Sequence, residues 1–130
     1  ALPLSVKVEQ ELLDLDETAR REFMASIGLQ ETGLDRVVRA GFALLDLITF
    51  LTTGEKETRA WPVRRGTKGP QAAGVIHTDF EKGYIRAEVI PYEVFAQRGE
   101  LGAREDGKLR VEGKEYTVED GDVVHFRVAT

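Results

Sequence analysis

Within residues 56–68 the chain gathers Lys56, Arg59, Arg64, Arg65 and Lys68 around Trp61, with only Glu57 opposing them. Guanidinium and ammonium groups attract phosphate and an indole offers a flat face to a base, the combination used on single-stranded nucleic acid. Arg59, Trp61, Arg64, Arg65 and Lys68 are therefore the candidate RNA- or ribosome-binding residues. The competing interpretation is a solvated basic edge with Trp61 turned into the core. Lys82 and Arg86 either extend the patch or balance Glu81 and Glu88.

His77, Asp79 and Glu81 are close enough in sequence to invite a metal or acid–base role. No second histidine lies nearby, since His125 falls in another segment. Histidine both donates and accepts hydrogen bonds, so a structural bonding role is the expectation, with no catalytic residue and no metal site. There are no cysteines, which excludes disulfides and thiolate ligands and fits a reducing, cytoplasmic setting.

The whole chain of 130 residues has a net charge of −5, so it exerts no global pull on nucleic acid or on an anionic membrane. Residues 1–46 hold a balance of −4 and residues 47–130 a balance of −1. Any polyanion contact is therefore local. Gly41 and Asp46 interrupt the longest apolar candidate, well short of the ~18 residues of a membrane span, and no membrane partner is expected. The start at Ala1-Leu-Pro-Leu, with neither an initiator Met nor a signal peptide, is read as that of a fragment or processed chain.

The elements that must position these residues fall into two parts. Val8, Leu12 and Leu15 predict a helix over Val6 to Leu15, and Ala19, Phe23 and Ile27 a second over Glu17 to Ile27, capped by Asp16 and stopped by Gly28. Thr32-Gly-Leu-Asp35 starts a third, whose stripe Leu34, Val37, Val38, Phe42 and Leu45 is expected to pack in a core, or else to meet a partner or a second copy. From Leu47 the period changes to two. A hairpin through Thr53-Gly-Glu-Lys56 and a helix from Gly69 to His77, with Pro70 at its first position, are expected. A strand over Tyr84 to Ile90, a short helix from Tyr92 to Gln97 and a polar link from Gly99 to Gly107, with room for a helical turn, follow. Leu109 to Glu112 and Glu115 to Val118 then read as a hairpin about Gly113-Lys114, with Val111 facing Tyr116, before a last strand over Val123 to Val128. The class is α+β, an all-helical segment (1–46) preceding a sheet that wraps one helix (47–130).

The stretch from Thr67 to Val89, TKGPQAAGVIHTDFEKGYIRAEV, closely resembles the TGS domain of YchF-type, Obg-like P-loop NTPases. Leu47-Ile-Thr-Phe50, Arg59-Ala-Trp61, Lys108 to Lys114 and Asp120 to Arg127 resemble it in the same order, and Gly33-Leu-Asp-Arg36 extends the match into the helical part. The resemblance implies a ubiquitin-like β-grasp domain from about Leu47 and a C-terminal fragment of a ribosome-associated NTPase. ATP or GTP with Mg²⁺ is then implied for the intact parent, whose pocket lies upstream. This chain has no G-x-x-x-x-G-K-[ST], so the chain alone is expected to be non-enzymatic and without a cofactor. Ser5, Val6 and Lys7 sit where the family carries a Ser-Ala-Lys motif near the base, with Val6 departing from Ala. The implied partners are the ribosome or structured RNA and the parent's own NTPase domain, with self-association through the helices as a further possibility.

Overall fold

The structure, a computed structural model, describes residues 1–129 and divides into two compact units, Ala1–Leu45 and the part from Asp46 onward. In the first, each helix begins where a short polar side chain takes up an amide that the helix leaves without a partner. Ser5 Oγ accepts from Val8 N at the start of α1 (Val6–Leu13), Asp16 Oδ1 accepts from Ala19 N at the start of α2 (Glu17–Ser26), and Thr32 Oγ1 accepts from Asp35 N at the start of α3 (Gly33–Leu44). The Glu9 carboxylate reaches across to the amide of Gly33 at 2.7 Å, and a Cβ at Gly33 would occupy that carboxylate's place. Arg20 ties the turn after α1 by donating to the carbonyls of Leu12 and Leu15.

Apolar burial in this unit is thin. Among its large apolar side chains only Leu12 and Met24 are buried. The α3 stripe, expected to be core, is instead open: Leu34 is 68% exposed and Leu45 62%, with Val37 and Val38 also exposed. Three short helices have too little surface to cover a stripe that wide, and of its members only Phe42 is half-buried within this unit.

The second unit is a five-stranded sheet in the order β2-β1-β5-β3-β4, formed by β1 (Leu47–Thr53), β2 (Thr58–Arg64), β3 (Tyr84–Pro91), β4 (Arg110–Glu112) and β5 (Asp122–Val128). All neighbours are antiparallel except the central pair β1 and β5, which run parallel through Leu51 and Val123. Such a mixed sheet holding one helix, α4 (Gly69–Ile76), against its face is a β-grasp. Pro62 lies on the edge strand β2, where a missing N–H costs least. The core between sheet and helix contains Ile48, Phe50, Val63, Ala72, Ala73, Tyr84, Ala87, Val89 and Val124. Phe50, wholly buried, meets Phe126 edge to face with centroids 5.8 Å apart.

Three expectations require correction. Glu115 to Val118 is not a strand partner of β4: Tyr116 is buried and donates its hydroxyl to the buried carboxylate of Asp122, while Val111 is 63% exposed. The backbone there serves the turn before α4 instead, since Gly69 N donates to Tyr116 O and Val118 N to Thr67 O. Burial, then the hydrogen bond to Asp122 and its charge, push the Tyr116 phenol far above its ordinary pKa, so it remains a donor. The short helix at Tyr92 continues as α6 (Tyr92–Glu105) through a break at Gly99, whose φ of 63° lets the chain turn and restart. An extra short helix, α5 (Thr78–Gly83), follows α4 directly, and α4 itself starts at Gly69, with Pro70 one position inside.

Candidate nucleic-acid interface

Alternation along β2 decides where the basic residues point. Arg59 and Trp61 share a face with buried Val63, whereas Arg64 lies on the other face with Ala60 and Pro62. The sequence cluster is thus split across the sheet. Trp61 is half-buried against the core and donates its Nε1–H to Thr52 Oγ1 at 2.9 Å. Arg59 lies over that ring at 4.3 Å from the centroid, a cation–π contact. The guanidinium thus covers the indole on that side and presents its own plane outward.

Beyond the strand, Arg65 pairs with Asp46 at 3.3 Å and Lys68 with Glu115 at 2.5 Å. Both pairs are exposed and can exchange a carboxylate for a phosphate at little cost. Arg64 makes no ion pair among the described residues. His77 is the cap of α5, its Nδ1 accepting from Asp79 N at 3.2 Å, and it is exposed. Among the described residues no group of three His, Cys, Asp or Glu is placed to hold a metal ion. Nor is any helix among them long and apolar enough to cross a membrane. Ser5 is the cap of α1, and Val6 and Lys7 are exposed in its first turn.

A second cationic group, which sequence reasoning missed apart from Arg86, forms on the sheet face away from α4. Arg127 clasps the Glu88 carboxylate with two hydrogen bonds, 3.3 and 3.1 Å long. Arg86 and Arg104 each stand 3.9 Å from the same group. His125 is paired with Glu88 across the strands. Only the period-two spacing of Arg86 with Glu88, and of His125 with Arg127, hinted at a shared face.

The hydrogen bonds from Arg127, followed by the charges of Arg127, His125 and Arg104, outweigh burial and hold the Glu88 carboxyl below its ordinary pKa. A depressed folded value contributes stability above the unfolded pKa of about 4.3, and this is lost as pH falls through the folded value. Glu88→Gln should therefore cost about 1–2 kcal/mol at pH 7, the low end for charged hydrogen bonds because the arginines are half-exposed. The cost should shrink below about pH 4. Thermal melts of both proteins at pH 7 and pH 3 check this, and a difference that persists at pH 3 would contradict it.

The family model YchF-GTPase_C, described as "Protein of unknown function (DUF933)", matches residues 47–129. "Ribosome-binding ATPase YchF" of Haemophilus influenzae is 57% identical over 127 residues, covering 97% of this chain and 35% of that protein. The protein of the same name in Bacillus subtilis is 50% identical, with 93% of this chain and 33% of that protein covered. Human "Obg-like ATPase 1" is 45% identical over 130 residues, 99% of this chain and 33% of its own length. The solved Schizosaccharomyces pombe YchF GTPase superposes with a TM-score of 0.83 at 39% identity, covering 96% of this chain and 33% of that one. This chain thus spans about a third of the length of the relatives it matches. With the family model covering most of the chain and the helical part also matched in these relatives, the chain belongs to the YchF family of Obg-like ATPases.

Proposed function

We propose that this chain is a non-catalytic TGS module of a cytoplasmic YchF-type NTPase and that it contacts the ribosome through RNA. The observation carrying this reading is the Arg59–Trp61 stack on an edge strand, with Arg64, Arg65 and Lys68 following it in cations that are unpaired or held only by exposed acids. The names of the bacterial relatives, ribosome-binding ATPases, support the ribosome as partner. Nucleotide hydrolysis, with ATP or GTP and Mg²⁺, then belongs to the intact protein. Within this chain no phosphate-cradling loop is present in the sequence, and Ser5 already spends its hydroxyl on capping α1. Ser5, Val6 and Lys7 would at most border the base in the intact protein.

The test is sedimentation of the chain with purified ribosomes over a range of salt. Arg59→Glu/Arg64→Glu/Arg65→Glu should weaken association about tenfold or more and lower the slope of log affinity against log salt by roughly 2–3 units. Its melting temperature should change little, because the three side chains are exposed. A folded triple variant that sediments like the parent would remove these residues from the interface. A second reading, docking to the parent's NTPase domain, is favoured by the open α3 stripe of Leu34, Val37, Val38 and Leu45. The same stripe offers a route to self-association, so a concentration-dependent mass in solution would favour a second copy as its cover.

A further inference from the structure

We propose that Arg86, Arg104, Arg127 and His125, gathered around Glu88, form a second phosphate-binding centre for the backbone of single-stranded RNA. The inference rests on the RNA-contact reading above but uses a different surface. Three guanidiniums from three elements, β3, α6 and β5, converge on one carboxylate that is only 10% exposed, while their own side chains are 49%, 56% and 43% exposed. Each guanidinium carries five N–H donors, and a carboxylate offers about four acceptor sites. Donors therefore remain in excess and open to water.

Glu100 takes part of Arg104 at 3.4 Å, and three arginines against Glu88 and Glu100 leave a net charge of +1 before His125 is counted. The remaining carboxylate, Glu88, lies beneath the arginines, so an incoming anion meets cations first. Because Glu88 already fixes Arg127 in a bidentate grip, less side-chain freedom is lost when a phosphate is bound. His125, exposed on the same strand face as Arg127, adds a ring that can donate to phosphate or stack on a base. The cations of β2 and of the turn after it have no such common centre, Arg59 and Arg64 lying on opposite sheet faces and Arg65 and Lys68 on separate acids.

The probe is a 5′-fluorescein-labelled twelve-nucleotide oligouridine, titrated with the 130-residue chain and followed by anisotropy between 50 and 200 mM KCl. Arg86→Gln/Arg104→Gln keeps the Arg127–Glu88 clasp and should leave the circular dichroism melt unchanged. Affinity should fall about tenfold and the log–log salt slope by about 1.4, two contacts at ~0.7 each on a single strand. A folded double variant with unaltered affinity and slope overturns the inference. If Arg59→Gln/Arg64→Gln/Arg65→Gln abolishes binding in that same case, the RNA-contact reading stands and only this site falls. Wild-type chain that sediments with ribosomes but ignores the oligouridine also overturns this inference alone, whereas failure of both assays removes the reading beneath it. Displacement of the RNA by poly-glutamate at equal charge would replace RNA with an acidic peptide as the ligand.

Discussion

Phe50→Ala should destabilise the sheet unit by about 3–5 kcal/mol, the range for removing a large aromatic from a core. Phe50 is wholly buried, and deleting its ring also deletes the edge-to-face contact with Phe126, worth about 0.5–1.5 kcal/mol beyond area in comparable pairs. The void would open between β1 and α4, where Ala72 and Ala73 are too small to move in and fill it. Against a total stability of roughly 4–12 kcal/mol for a unit of this size, that loss brings folding close to failure. Trp61, the single tryptophan of the chain, sits in this unit and reports its unfolding in urea without interference from the helices. A midpoint within experimental error of the parent's would show that the ring is not the centre of this core.

The legible parts of this fold are those where local pattern and final environment agree. The hairpin of β1 and β2 shows a period of two on either side of a glycine-containing loop, and Pro62 restricts its position to a strand end or an edge. Two of the three N-caps are legible, since Asp16 and Thr32 stand directly before apolar-periodic runs, whereas the cap supplied by Ser5 emerges only in the structure. What failed was chemistry that acts across the sheet. Residues 115–118 alternate like a strand, yet Tyr116 finds Asp122 and the turn before α4, and pairing with β4 never forms. Gly99 reads as the start of a polar link with room for a helical turn, whereas here it joins two helical runs across a bend.

The candidate site shows the same limit. Arg59 to Lys68 stood out because they are close in sequence, but the alternation of β2 puts Arg59 and Arg64 on opposite faces. Arg86, Arg104 and Arg127 are far apart in sequence and meet only because β3 lies beside β5 and α6 lies over them. No local pattern encodes that strand order. The parallel pairing of β1 with β5, which depends on chain ends more than 70 residues apart, is likewise set by the global packing. Proximity in sequence therefore selected the charge group that the fold separates and missed the one that it assembles.

Gly69→Ala should cost about 2–3 kcal/mol, although alanine ordinarily favours a helix by about 1 kcal/mol over glycine. A Cβ at Gly69 would lie 2.5 Å from the Tyr84 hydroxyl and 2.9 Å from its Cζ. That ring cannot retreat without loss: Tyr84 is buried, and its hydroxyl donates toward the carbonyls of Glu112 and Gly113, 3.3 and 3.1 Å away. Gly69 cannot retreat either, because its amide donates to Tyr116 O at 2.8 Å. Gly74, in the same helix, provides the contrast. There the closest obstacle is the carboxylate end of Glu81, an exposed and flexible side chain, although its Cβ is also tight at 3.1 Å. Gly74→Ala should consequently fall within about 0.5 kcal/mol of the parent, the helix preference offsetting a small displacement. Tyr84→Phe removes the clashing oxygen, so its cost should be smaller in the Gly69→Ala background than alone, a coupling that a double-mutant cycle in urea would read directly. Additive effects of the two substitutions would mean that Gly69 is needed for the backbone turn into α4 and not for the approach of Tyr84.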